Sequence, residues 1–339
     1  MALSLDDPFL MHEEHRVAGL KLQYLLGHGA RSTVYKVEAD ATEGESKGSS
    51  KDRRLPDHLP DRPFCKVYTR PPEGERGRSE GWRGFERERA ALLRLQDVPN
   101  TPKISKETLT LPPVQSWLKP ERVLVLSPVG RPLWPALSNV ALTGHHFAQL
   151  VTTVEAMHSA GVLHRDIKPA NVFLQEDTGP LLLADFDAAV VLEEVKKMKD
   201  VSQQKRQTRG GKGKKLLTLE ALTLANPTPT PAPTPKVWKM DQKFTWIGTV
   251  GYTDARPADR DNVLHTPTPE HDLVALVRTV YSLYTMKGPI GPRPGDNTYE
   301  DDTDAYWAAR MPATSMWHDF LQMARDKDYE ALRLALGRL

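Results

Sequence analysis

Cysteine is almost missing from this chain of 339 residues: Cys65 stands alone. No intrachain disulfide can form, and a reducing, intracellular setting is the natural expectation. Long apolar runs are missing as well. No stretch approaches the ~18 apolar residues that a membrane span needs. The opening "MALSLDDPFLMHEEHR" has neither the basic start nor the apolar centre of a signal peptide. Charge of one sign is scarce: 46 Lys and Arg against 44 Asp and Glu leave a net +2. That gives no global case for a nucleic-acid binder. What remains is ordinary globular composition, 39% hydrophobic and 27% charged. The length suits one large domain or two modest ones.

Two segments lack periodicity. Residues 39–62, "ADATEGESKGSSKDRRLPDHLPDR", are polar and rich in Gly, Ser and Pro. Residues 193–240 begin as a basic tract and end in "NPTPTPAPTPK", where repeated Thr-Pro favours extended chain. From Glu193 to Lys236 there are ten Lys and Arg against four Asp and Glu, so the basic charge is local and the remainder is slightly acidic. The stretch 196–215 would suit an acidic partner or serve as an import signal; a plain solvated loop is the competing reading.

The rest alternates in period. "LKLQYLLGHGARSTVYKVEA" reads as two strands joined at a glycine turn, and "PFCKVY" as a short strand. "GFERERAALLRLQ" places Phe85, Leu92 and Leu95 on one helical face. "RVLVLSPVG" is a buried strand and "TGHHFAQLVTTVEAMHSAG" a helix that stops at Gly161. "PLLLADFDAAV" reads as a strand, "EHDLVALVRTVYSLYT" as an apolar helix, and the last forty residues as two or three helices. Strands dominate the first third and helices the remainder, so a small sheet lobe followed by a helical lobe is expected.

Between apolar flanks lies "GVLHRDIKPANVFL", residues 161–174. Phosphoryl transfer needs a carboxylate near the attacking hydroxyl, a cation near the transferred phosphate and oxygen ligands for magnesium. One loop can supply all three: Asp166 to orient or deprotonate the hydroxyl, Lys168 to neutralise phosphate charge, Asn171 to bind metal through its amide oxygen. Asp185, in "LADFDAA", supplies a second metal ligand.

In order along the chain, these stretches resemble the eukaryotic protein kinase family over residues 17–286. The resemblance implies a bilobal α+β fold: an extension over 1–16, a β-rich N-lobe over 17–128 with the insertion at 39–62, and a mainly helical, shortened C-lobe over 129–339 with the insertion at 193–240. It implies ATP and Mg²⁺ between the lobes and a protein substrate, without membrane or nucleic-acid partners. Gly27, Gly29 and Val34 of "GHGARSTV" would cover the nucleotide. Lys66 would pair with its phosphates and be held by a helical glutamate, Glu88 in preference to its neighbour Glu86. Leu126 and Val129 would line the adenine side of the hinge "SPVG". Asp272 would anchor the loop "HRDIKPAN", and His164 would pack on Phe186. Lys168 points to the Ser/Thr type.

Four departures stand out. Ser32 replaces the third glycine of the loop. Asp187 replaces the glycine after Asp185-Phe186, read as a stiffer hinge, with an extra metal ligand as the alternative. Asp254, Ala255 and Arg256 stand where Ala-Pro-Glu closes the family's segment, so a charge-paired support is lost or rebuilt. Phe64 and Phe173 stand above and below the adenine position, where they could sandwich a purine or collapse on each other. A non-catalytic kinase-like module and a small-molecule kinase are therefore carried as alternatives.

Overall fold

β-Branched and aromatic residues in alternation build the N-terminal lobe. The computed structural model describes residues 16–17, 20–28, 32–39, 63–68, 80–105, 122–128, 130–133, 142–175, 179–193, 244–245, 252, 264–287 and 303–339. Strands β1 (Arg16–Val17), β2 (Leu20–His28), β3 (Ser32–Ala39), β4 (Phe64–Tyr68), β5 (Lys103–Ile104) and β6 (Arg122–Ser127) form one antiparallel sheet in the order β1-β2-β3-β4-β6-β5. Alternation divides β4 between two faces. Cys65 and Val67 join Leu22, Tyr35, Val37, Val123 and Val125 on one side. Phe64 and Tyr68 join the main core on the other, with Leu124, Leu126 and Ile104. Lys66 shares the parity of Phe64 and Tyr68, so it points toward the main core.

Helix α1 (Glu80–Arg94) covers that second face. Its buried stripe is Glu88, Ala91 and Leu92, continued by Leu95 just past its end, in the i, i+3, i+4, i+7 pattern of one helical face. Glu86 is exposed on the other side. The C-terminal lobe is built around α2 (Gly144–Ser159) and α3 (Pro269–Thr285). Both begin with a Thr and a His three residues on, whose ring accepts from the N-cap backbone: Thr143 N–H to His146 Nδ1 and Thr268 N–H to His271 Nδ1, each at 3.1 Å. From Asp272 to Leu283 every residue of α3 is buried, as expected for a helix apolar all round.

Helices α4 (Thr303–Arg310), α5 (Met316–Arg325) and α6 (Tyr329–Leu336) complete the lobe, with α6 packed along α2. A Cβ on Gly144 would fall 2.3 Å from the Gly337 carbonyl oxygen, so glycine is required where α2 meets the end of α6. Short strands β7 (Arg131–Pro132), β8 (Val162–Leu163), β9 (Val172–Leu174), β10 (Leu181–Leu183) and β11 (Val190–Val191) carry the loops between the lobes; β12 (Phe244–Thr245) pairs with β13 (Leu264–His265). β9 pairs with β7 and β10, and β8 with β11.

The bilobal α+β arrangement expected from sequence is the one observed. One strand expectation is corrected: "PLLLADFDAAV" is two short strands, β10 and β11, divided by residues 184–189, because Asp185 adopts φ 68°, which no strand tolerates. Residues 193–239 separate as a unit distinct from the rest of the chain, and of these only Glu193 is described. Gly29, Val129, the triplet 254–256, the insertion at 39–62 beyond its first residue, and the basic stretch 196–215 lie outside the described residues. Among the described residues no helix is long and apolar enough to cross a membrane.

Candidate active site

Lys66 is the meeting point of three elements. From β4, its Nζ donates to Glu88 Oε2 on α1 at 2.7 Å and to Asp185 Oδ1 beyond β10 at 2.6 Å. Tyr68 O–H donates to the same Glu88 oxygen, and Phe186 N–H donates to Glu88 Oε1 at 3.4 Å. Lys66 and Glu88 are only 5% and 1% exposed, whereas the Asp185 side chain keeps 36% of its surface open. Buried charges persist only when paired. Burial alone would depress the Lys66 ammonium, but Asp185 and Glu88 outweigh it and hold the group charged, above its ordinary range. Burial pushes the Glu88 carboxyl up to about 7 against the pull of Lys66. Burial also opposes ionisation of Asp185, yet Lys66 prevails and holds that carboxyl below its ordinary range.

The loop after β8 is suspended from α3. Asp272 accepts from His164 N–H at 2.7 Å and Arg165 N–H at 2.8 Å, and contacts His158 Nε2 at 3.0 Å. Burial works against the Asp272 carboxylate, but His158 and these donors hold it below the ordinary carboxylate range. Arg165 takes φ 69°, which turns the chain, and its Nη1 donates to the Ala188 carbonyl at 3.3 Å. His164 stacks on Phe186 with ring centroids 4.6 Å apart. Beyond the turn, Lys168 Nζ donates to Asp166 Oδ2 at 2.7 Å. Residues Pro169–Asn171 form a 3-10 turn that brings Asn171 back, so its Nδ2 donates to the Asp166 carbonyl at 2.8 Å. Ala184 N–H donates to the Asn171 carbonyl at 3.0 Å, which ties Asn171 to the residue before Asp185.

The Asn171 amide spends its nitrogen on Asp166, and its Oδ1 accepts no hydrogen bond from the described residues. Asn171 Oδ1 and the ionised Asp185 are hard oxygen donors of the kind magnesium takes, with phosphate and water completing its shell. The donor set fits that ion. Among the described residues no cluster of three or more His, Cys, Asp or Glu could hold a metal by itself.

Gly27 pairs with Val34 across β2 and β3, and a Cβ on Gly27 would meet nothing within 4 Å. Val34 in turn pairs with Lys66, and Phe64 with Leu126. Phe64 is buried and Phe173, on β9, is half-buried; among the described residues neither ring stacks on another aromatic ring. Sequence reasoning missed Gly130. A Cβ there would lie 2.7 Å from Phe173 Cβ, so glycine lets the interlobe segment cross the floor strand. It also missed Tyr68, although the two-residue strand repeat places Tyr68 on the face of Lys66. Beyond the site, the Tyr252 carbonyl accepts from Arg278 Nη1 at 3.3 Å and its hydroxyl meets Ser282 Oγ at 3.3 Å.

The family model described as the protein kinase domain matches residues 137–206. A serine/threonine-protein kinase PKH3 from Eremothecium gossypii is 58% identical over 45 residues, 13% of this chain and 6% of that protein. The CBL-interacting protein kinase 29 of Oryza sativa subsp. japonica is 48% identical over 52 residues, 15% of this chain and 12% of that protein. The chain thus aligns with only a small part of the relatives' length. The structure of the Cydia pomonella granulovirus kinase PK-1 superposes with a TM-score of 0.51 at 12% identity, covering 94% of this chain and 92% of that one, which shows the shared fold.

Proposed function

We propose that the chain is a protein kinase of the eukaryotic superfamily, a reading supported by the kinase-domain match, the serine/threonine-kinase relatives and the shared fold, and that it transfers the γ-phosphoryl group of ATP to serine or threonine hydroxyls of proteins. One observation carries this reading: Lys66 holds Glu88 and Asp185 at once, while Asp166, Lys168 and Asn171 are joined in the neighbouring loop. All the polar groups that the chemistry needs are thereby assembled within one hydrogen-bonded framework.

In the step so assigned, the substrate hydroxyl oxygen bonds to the γ-phosphorus, the bond to the bridging β-γ oxygen breaks, and ADP departs with that electron pair. The hydroxyl proton passes to Asp166 and then to solvent. Lys168, already on Asp166 Oδ2, neutralises charge on the transferred group. Lys66 pairs with the remaining phosphates, and Glu88 keeps it from folding away. Magnesium, when held by Asn171 Oδ1 and Asp185, supplies charge compensation along the phosphate chain. Gly27, with open space beside it, lets backbone approach the phosphates. Phe64 and Phe173 would stack on the two faces of adenine, with Val34 and Leu126 at its edge.

Magnesium-dependent ATP turnover by wild type and Asp166→Asn tests the reading. A loss of about 10²–10⁴ in kcat is expected for a positioned proton acceptor. A folded wild-type protein that binds ATP without turnover would instead favour the non-catalytic module.

A further inference from the structure

We propose that Asp187 is a positioning residue: seated against Gly84, it fastens segment 185–188 to helix α1 and so keeps Lys66, Glu88 and Asp185 assembled before nucleotide arrives. The inference rests on the reading of this site as a phosphoryl-transfer centre.

The position is one where the family carries glycine. Glycine would be needed there if the backbone were left-handed. Here the left-handed residue is Asp185, at φ 68°, and Asp187 is not among the described residues with positive φ. The segment therefore has no conformational need for glycine at 187, and a side chain is free to do something else.

What that side chain meets is a gap in helix α1. A Cβ on Gly84 would lie 3.5 Å from Asp187 Cβ, 3.7 Å from Asp187 Oδ2 and 3.6 Å from Tyr68 Cε1. Those are ordinary contact distances, so a methyl group would fit there against Asp187 and Tyr68. Asp187 is only 9% exposed.

The backbone around Asp187 is held as well. Arg87 Nε on α1 donates to the Asp187 carbonyl at 2.5 Å. Phe186 N–H donates to Glu88 Oε1 at 3.4 Å. Arg165 Nη1, from the loop after β8, donates to the Ala188 carbonyl at 3.3 Å. Three consecutive residues are thereby fastened to α1 or to that loop. Arg87 and Glu88 are neighbours on α1. A shift of the helix that parts Arg87 from Asp187 also drags Glu88 from Lys66. A glycine at 187 would keep the backbone contacts but remove the side chain that braces them against rotation of the segment. The competing role, a third metal ligand, requires the Asp187 carboxylate to turn from Gly84 toward Asn171 and Asp185.

Amide exchange of the full chain without nucleotide, followed by mass spectrometry, separates these roles, with magnesium-dependent turnover as a second readout. Asp187→Gly should speed exchange roughly tenfold in peptides spanning 84–92 and 184–190 together, while α3 is unchanged. Gly84→Leu, which displaces Asp187, should do the same. Asp187→Asn keeps the shape but removes a negative charge that acts on Lys66 and Glu88; it should keep most of the protection that Asp187→Gly loses, and the wild-type magnesium dependence. Gly84→Ala combined with Asp187→Gly returns a methyl group to the interface from the other side and should recover part of the loss. Unchanged exchange in Asp187→Gly, or effects of the paired changes that simply add, would overturn the proposal. So would an Asp187→Asn variant with native exchange but a raised magnesium requirement, which would make Asp187 a ligand. Because exchange is read without turnover, absence of phosphoryl transfer in wild type would sink the proposed function and leave this result standing on its own.

Discussion

Asp272→Asn isolates the support beneath the loop after β8. The carboxylate is 1% exposed and serves His164 N–H, Arg165 N–H and His158 Nε2 at 2.7, 2.8 and 3.0 Å. An amide keeps one oxygen and turns an NH₂ toward donors that need an acceptor. At least one buried N–H loses its partner, which costs about 1–3 kcal/mol, and the remaining bonds lose their ionic strength. A total of about 2–4 kcal/mol follows, so the urea midpoint should fall by roughly 0.7–4 M at the slope of ~1–3 kcal/mol/M typical of such transitions. The pH dependence adds a sign. The folded carboxyl titrates below its ordinary value of 3.8, so the unfolded chain takes up the proton first as pH falls. The stabilisation is complete above that value and is lost as pH falls through the lower, folded one. Wild type should therefore lose stability more steeply below pH ~4 than Asp272→Asn, and the two should converge in acid. A midpoint within ~0.2 M of wild type at pH 7 would refute the argument that these three contacts suspend the loop.

Two further predictions follow from the same geometry. Tyr329→Phe removes the hydroxyl that meets His158 Nδ1 at 2.7 Å, leaves a buried ring nitrogen unsatisfied, and should cost about 1–3 kcal/mol in denaturant melts; a loss under 0.5 kcal/mol would mean that α6 does not brace the loop through His158. Phe64→Ala should weaken ATP binding by calorimetry about fivefold to a hundredfold, the worth of one stacked face at ~1–3 kcal/mol, and tighter binding would show that the ring obstructs the pocket.

How far the site could be read from sequence depended on how local each contact is. "HRDIKPAN" carries Asp166, Lys168 and Asn171 within six residues, and the 3-10 turn that unites them follows from Pro169 in that run. Lys66 is legible from the family resemblance of "FCKVY", and strand parity puts Phe64 on the same face. Glu88 is set apart from Glu86 by its phase with Ala91, Leu92 and Leu95, a periodicity present in the sequence. The continuous strand expected at 180–190 failed because apolar content says nothing of the left-handed turn that Asp185 makes. Contacts between remote segments left no periodic trace. Gly84 faces Asp187 across 103 residues, and His158 meets Tyr329 across 171. Gly130 and Gly144 look like turn glycines until Phe173 and Gly337 are seen to crowd them.

The central claim is phosphoryl transfer through Asp185 and its neighbours. Its most direct measurement is transfer of labelled γ-phosphate from ATP to serine and threonine of a general protein acceptor such as casein, by wild type and Asp185→Asn, with magnesium and with chelator. The account predicts label on the acceptor only with wild type and magnesium, since a lost metal carboxylate removes several kcal/mol of charge compensation. Undiminished transfer by a folded Asp185→Asn protein, or none by folded wild type with magnesium and ATP bound, would contradict it.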